Sequence, residues 1–91
     1  MNRLDETYSV SPTVEWAESD GEVMVVELDQ GQVYSLNNTA SVVWRGVASG
    51  LTIAQIAERL TQQFDVPEGI LRSDVAECVD SLLAKQLVVV Q

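Results

Sequence analysis

The stretch from Val23 to Leu36 predicts a β-hairpin, because two apolar, valine-rich runs flank the short polar segment Asp29-Gln30-Gly31. Glycine adopts positive φ at little cost, so Gly31 suits the left-handed position of a three-residue hairpin loop. A loop of that length fixes which side chains share one face of the two strands. The residues expected to face inward are Met24, Val26, Leu28, Tyr34 and Leu36.

The segment before the hairpin predicts one more strand. Thr13 to Trp16 has the composition of a short strand with Glu15 facing outward, and the residues from Glu18 to Gly21 have the composition of a turn. Residues 1–12 are mostly polar and end in Ser11-Pro12, so we predict a flexible N-terminal tail followed by a single domain over residues 13–91.

The chain after the hairpin has the periodicity of helices. Asn37 or Asn38 can cap a first helix, and Gly50 ends it. Thr52 and Gln55 match a capping box that opens a second helix, which Asp65-Val66-Pro67 ends. The apolar face of the first helix is formed by Ala40, Val43, Trp44 and Val47, and that of the second by Ile53, Ile56, Ala57, Leu60 and Phe64.

A third helix is predicted from about Glu68 to Lys85, with a broad apolar stripe for packing on the sheet and on the other helices. The stripe comprises Leu71, Val75, Cys78, Val79, Leu82 and Leu83. Leu87 to Val90 is a short β-prone segment that could end the domain as a strand. The predicted fold class is therefore α+β, a winged helix-turn-helix with a three-stranded antiparallel sheet followed by three helices.

Composition narrows the function. Fourteen acidic and five basic residues give a net charge of −9, which disfavours nucleic acid as a partner. The chain has no histidine, and one cysteine cannot form a zinc site, so we expect no metal, no cofactor and no catalytic activity. No apolar run reaches transmembrane length, and the N-terminus lacks the apolar core of a signal peptide. We expect a cytoplasmic protein that does not bind membranes.

An ordered set of motifs resembles the PqqD family, whose members act as recognition elements for ribosomally synthesised, post-translationally modified peptides (RiPPs). The matching segments are Val25 to Leu28, Gly31, Tyr34, Leu36-Asn37, Thr39-Ala40, Trp44, Ile56-Ala57, Leu60, Phe64-Asp65-Val66, Asp74-Val75 and Leu82-Leu83. The resemblance implies a peptide chaperone that clamps an extended leader peptide between its third strand and third helix. It also implies delivery of the precursor peptide to a modifying enzyme or a leader peptidase. The freestanding form from lasso-peptide pathways is similar in size.

Strand addition gives this mechanism a physical basis, since an edge strand exposes backbone N–H and C=O groups that a peptide can pair with. The third helix would supply selectivity along one flank of its apolar stripe. The candidate leader-binding residues on the strand are Gln32, Val33, Tyr34, Ser35 and Leu36. Those on the helix are Leu71, Asp74, Glu77, Cys78 and Ser81.

Two of these helix residues indicate a ligand charge. Asp74 and Glu77 favour a leader that carries Lys or Arg, although exposed carboxylates are as often simply solvated helix surface. Cys78 lies in the apolar stripe, where core packing is the commoner role of a cysteine.

Two other classes of protein remain open. A winged-helix DNA-binding regulator shares the predicted outline, but Glu68, Asp74, Glu77 and Asp80 give its third helix the wrong charge for phosphate contacts. An acyl or peptidyl carrier is suggested by Asp80-Ser81-Leu82, which resembles the sequence around a phosphopantetheine attachment serine. The late position of Ser81 in the last helix and the presence of a hairpin argue against a carrier.

Overall fold

A computed structural model describes residues 3–91, which form three helices and two small antiparallel sheets. The strands are β1 (Tyr8–Val10), β2 (Val14–Ser19), β3 (Glu22–Glu27), β4 (Gln32–Ser35) and β5 (Val88–Val90). The helices are α1 (Asn38–Ala48), α2 (Ile53–Thr61) and α3 (Glu68–Ala84), and a 3-10 turn covers Arg3–Asp5. The α+β class, with a three-stranded antiparallel sheet followed by three helices, is confirmed.

The three-stranded sheet has the order β2-β3-β4, but its register differs from the predicted one. Glu27 pairs with Gln32, so the hairpin loop has four residues, from Leu28 to Gly31. Gly31 is left-handed, as predicted, with φ of +66°. Register and burial place Val23, Val25 and Glu27 on the inner face of β3. The prediction that Met24, Val26 and Leu28 face inward is wrong.

A buried carboxylate explains the longer loop. Glu27, only 2% exposed, accepts hydrogen bonds from the Thr13 hydroxyl at 2.6 Å and from the backbone amide of Asp29 at 2.7 Å. The amide of Gln30 is a third donor at 3.4 Å. The Glu27 carboxylate therefore binds the loop amides from the buried side of the sheet. Because side chains alternate between the two faces of a strand, an inward-facing Glu27 also sets Val23 and Val25 inward. Both alternate rows of Val-Met-Val-Val are apolar, so hydrophobicity alone does not distinguish the two facings.

The terminal sheet corrects the prediction of a flexible tail over residues 1–12. Tyr8–Val10 pairs antiparallel with Val88–Val90, and the Tyr8 side chain is buried in the main core. The Arg3 guanidinium contacts Tyr8, Asp80 and the carbonyl oxygen of Ala76, which ties the 3-10 turn to α3. Residues 1 and 2 of the predicted tail lie outside the described residues. The predicted boundary at residue 13 is wrong because this pairing joins segments about eighty positions apart, which no local pattern indicates.

Helices α1 and α2 begin where their capping residues predict. The Asn37 side chain accepts from the amide of Ala40 at 2.8 Å, and Thr52 forms both hydrogen bonds of the capping box with Gln55. Gly46 allows α1 and α2 to approach closely, since a Cβ at this position would lie 2.5 Å from Cγ1 of Ile56. The helices thus pack with Val43, Trp44 and Val47 of α1 against the other elements of one core.

Candidate functional site

The free edge of β4 exposes backbone groups of two residues. The amide of Leu36 donates to the carbonyl of Val23 at 2.9 Å, so this pair is hydrogen-bonded across the β3–β4 ladder. Antiparallel pairs alternate between bonded and non-bonded, so Gln32 and Tyr34 also direct their backbone groups toward β3. Val33 and Ser35 therefore direct their N–H and C=O groups to the open side. The edge offers two donors and two acceptors in a straight strand.

Helix α3 has two flanks beside its buried stripe, and its C-terminal end contacts the hairpin loop. Its buried stripe of Leu71, Val75, Val79 and Leu82 faces the core. The Arg3 contacts occupy one flank of this stripe, at Ala76 and Asp80. The other flank ends at Lys85, where the Gln30 side chain of the hairpin loop donates to the Lys85 carbonyl at 3.3 Å and to the Gln86 side chain at 3.0 Å. The C-terminal end of this second flank therefore lies next to the hairpin loop that precedes β4.

Helical spacing places four of the predicted helix residues on or beside this second flank. Asp74, Glu77 and Ser81 are exposed, and Cys78 is half-buried against the core. Leu71 is 5% exposed and belongs to the core stripe, so it can offer little surface to a ligand. On β4, Gln32, Val33 and Ser35 are exposed, whereas Tyr34 is half-buried and packs against the core, as does Leu36 just after the strand.

The second flank of α3 also carries two residues that the sequence analysis missed. Ile70 lies one turn before Asp74 and is 54% exposed. Lys85 follows the helix, and its ammonium donates to the Ser81 hydroxyl at 2.7 Å. The helical row that identified Asp74, Cys78 and Ser81 reaches both residues when it is extended by one turn at each end.

The charges on this flank differ between its two ends. Asp74 and Glu77 take part in no ion pair with residues 3–91, and Lys85 is the cation at the end near the hairpin loop. Between them, burial raises the pKa of the Cys78 thiol, and the positive charge of Lys85 partly offsets that increase. The thiol is therefore uncharged near neutral pH, and this part of the flank is apolar.

A comparison with protein families identifies the chain. The model of "Coenzyme PQQ synthesis protein D (PqqD)" matches residues 22–88, from the start of β3 to the first residue of β5. The chain belongs to the PqqD family. No curated protein matches its sequence.

Three solved structures share the PqqD-family fold of this chain. "TbiB1 in Complex with the TbiA(beta) Leader Peptide" has a TM-score of 0.83 and 22% identity, over 88% of this chain and 93% of TbiB1. "Lasso peptide synthetase B1 complexed with the leader peptide" has a TM-score of 0.83 and 23% identity, over 90% and 96% of the two chains. The PqqD truncation of Methylobacterium extorquens PqqCD, described as a stand-alone RiPP recognition element, has a TM-score of 0.73 and 19% identity, over 96% and 92%.

The described part of this PqqD-family chain contains no cluster of three or more potential metal ligands among its His, Cys, Asp and Glu side chains. Within residues 3–91, no helix is long and apolar enough to cross a membrane.

Proposed function

We propose that this protein is a non-catalytic recognition protein that binds the leader of a RiPP precursor as a strand added to β4. The observation that carries the proposal is the free edge of β4, whose hairpin loop contacts the end of α3, in a fold shared with structures described as complexes with leader peptides. The bound precursor would be presented in the cytoplasm to a modifying enzyme or leader peptidase, in a pathway of the lasso-peptide type.

Backbone pairing alone gives this site modest affinity. Val33 and Ser35 together offer four hydrogen-bonding groups, and each bond contributes about 0.5–1.5 kcal/mol net. These bonds form with any extended peptide, whatever its side chains are. Selectivity therefore depends on the side chains that line the groove between β4 and α3. Tyr34 of β4 and the following Leu36 face the groove from the strand, and Cys78 and Ile70 supply the apolar part of the α3 flank.

Charge then defines the leader further. Asp74 and Glu77 favour Lys or Arg in the leader opposite the first half of α3. Lys85 favours a carboxylate in the leader at the end near the hairpin loop. Such pairs of opposite charge across an interface mainly fix the register of the leader and increase its association rate. The leader that fits best is accordingly basic at one end of its bound segment and acidic at the other, which refines the expectation of a basic leader.

The geometry does not favour the two alternative functions. The exposed residues Asp74, Glu77 and Asp80 give α3 an acidic surface, which repels DNA phosphates. Ser81 lies in the last turn of α3, and its hydroxyl accepts a hydrogen bond from Lys85.

The proposal is tested by titrating the folded protein with synthetic leader peptides encoded by short reading frames beside this gene. Val33→Pro and Ser35→Pro each remove an N–H that points away from β3, so both variants should fold. We expect each to weaken leader binding at least about tenfold, because one hydrogen bond is lost and the proline ring obstructs the added strand.

The unfolding midpoint of each variant, measured by circular dichroism, should stay within a few degrees of that of the parent. Full leader affinity in both folded proline variants would contradict strand addition at β4. Binding of no neighbouring peptide by the folded parent protein would contradict the recognition function itself.

A further inference from the structure

The outer face of the three-stranded sheet is apolar and uncovered. It is formed by the side chains that point away from the helices, which are Glu15, Ala17 and Ser19 of β2, Glu22, Met24 and Val26 of β3, Val33 and Ser35 of β4, and the adjoining loop residue Leu28. Register places Glu15, Val26 and Val33 in one cross-strand row and Ala17, Met24 and Ser35 in the next. We infer that this outer face is a docking surface for the protein that acts on the bound leader, and that its partner surface is apolar with Lys or Arg at the rim.

Exposure of large apolar side chains is the first observation behind this inference. Met24 is 44% exposed, Leu28 56% and Val33 58%. Between β2 and β3 the face is indented by a shallow depression of about 320 Å³, lined by Glu15, Trp16, Ala17, Met24 and Val26. A contiguous apolar patch with a polar rim is typical of a protein-binding surface.

Charge identifies the chemistry of the partner. Glu15 and Glu22 lie at the rim of the outer face, and neither forms an ion pair with another described residue. All five basic residues of the sequence lie outside β2–β4. The acidic rim and the net charge of −9 oppose docking of a second copy of this chain, whereas a partner with basic residues around an apolar centre is complementary.

Continuity with the leader site connects the outer face to the proposed function, on which this step of the inference rests. Val33 and Ser35 direct their side chains to the outer face and their backbone groups to the leader. In an added strand, alternate side chains of the leader lie beside these two residues. The bound leader therefore widens the outer face by one strand, and the partner contacts a surface composed of protein and leader together. Leader and partner should each tighten the binding of the other by the same factor.

The experiment uses the purified modifying enzyme or leader peptidase encoded beside this gene as the probe. Met24→Glu/Leu28→Glu adds two charges to the outer face, and both positions are exposed, so the variant should fold. Val89→Glu/Val90→Glu is the matched control, because these β5 residues are 42% and 58% exposed and the charge change is the same. Binding of the enzyme to each protein is measured by biolayer interferometry with and without saturating leader, and leader affinity is measured separately.

We expect Met24→Glu/Leu28→Glu to weaken enzyme binding at least tenfold while leader affinity stays within twofold, and we expect the control to match the parent. Leader should strengthen enzyme binding to the parent protein.

Unchanged enzyme affinity in the outer-face variant would overturn the inference, as would failure of the parent to bind the enzyme in either condition. A parent dimer that the outer-face variant converts to a monomer in sedimentation analysis would assign the face to self-association instead. Loss of leader binding by the parent would contradict the proposed function and leave the enzyme measurement without leader as the test of docking.

Discussion

The two sheets of this protein are built from similar short strands and do different work. The terminal sheet, β1 with β5, joins the two ends of the described chain, and its residues Tyr8 and Val88 are each only 2% exposed. The hairpin sheet, β2-β3-β4, buries one face, exposes the other, and leaves the β4 edge open. The comparison shows that a strand's contribution depends on what covers its edges and faces, more than on its own sequence.

Substitution of one tyrosine in each sheet should distinguish the stability that the terminal sheet provides from the leader binding that the hairpin sheet provides. Tyr8→Ala in the terminal sheet removes a buried ring, and we expect the free energy of unfolding to fall by about 3 kcal/mol in urea titrations. Leader affinity at a temperature where the variant is folded should be unchanged. Tyr34→Ala on β4 should reverse this pattern, with a loss of about 1 kcal/mol of stability and several-fold weaker leader binding. Equal effects of the two substitutions on leader binding would remove the distinction between the sheets.

Glu27 tests what the hairpin sheet needs for its own stability. The hydrogen bond from Thr13 lowers the pKa of the Glu27 carboxyl below its ordinary value of 4.5, the loop amides of Asp29 and Gln30 add to this, and burial opposes it. A pKa lowered in the folded state gives stability that is present above the unfolded value and is lost as pH falls through the folded value.

We therefore expect the unfolding midpoint of the parent to fall as pH drops below about 4.5, and that of Glu27→Gln to fall less over the same range. At pH 7 the variant should unfold several degrees lower than the parent in thermal scans. Glu15→Gln, on the exposed outer face, is the control. A steeper acid dependence in Glu27→Gln than in the parent would show that the sign is wrong.

Lys85 tests the charge difference along the α3 flank. Lys85→Glu reverses the charge of the cation at the end of this flank, so we expect leader binding to weaken by about three- to tenfold, less so in high salt. Arg59→Glu on α2 makes the same charge change away from the groove and should have little effect. Tighter binding by Lys85→Glu would mean that the leader is basic along its whole bound segment.

The other edge of the hairpin sheet should give the smallest effect. Pairing of Leu28 with Thr13 directs the backbone groups of Trp16 and Glu18 away from β3, so β2 also has a free edge. We expect the second flank of α3 to contact a peptide bound at β4 but not one bound at this edge of β2. Glu18→Pro should leave leader affinity within twofold, in contrast to Ser35→Pro. A comparable loss in Glu18→Pro would show that leaders bind either edge, and that α3 contributes little to selectivity.

Local signals were sufficient for the helices and for the existence of the hairpin. The capping box at Thr52, the Asn37 cap and the turn at Gly31 each involve residues within a few positions of one another, and the structure has all three. The facing of β3 was mispredicted because it depends on Glu27, a buried acid that apolar patterning assigns to the surface. The pairing of β1 with β5 depends on contacts between the two ends of the chain, where periodicity carries no information.

The candidate site divides in the same way. The β4 edge follows from the hairpin, and Asp74, Glu77, Cys78 and Ser81 follow from helical spacing. Helical spacing is compatible with Leu71 in the core stripe and with Leu71 on the groove flank. Its burial in the structure assigns it to the core. In the sequence, Lys85 only marks the predicted end of α3. Its contact with Ser81 is seen only in the structure, where its ammonium donates to the Ser81 hydroxyl.

The backbone amide of Gln91 donates to the carbonyl of Thr7 at 3.1 Å, one pair beyond the terminal sheet. The path of the chain from residue 7 to residue 91 is therefore almost a closed ring. A peptide linker that joined the two ends of the described chain would restrict the unfolded chain while keeping the terminal sheet paired, which raises stability through the entropy of the unfolded state. In such a cyclised protein a new opening at the Asp20-Gly21 turn would yield a circular permutant with the β4 edge and the α3 flank in place.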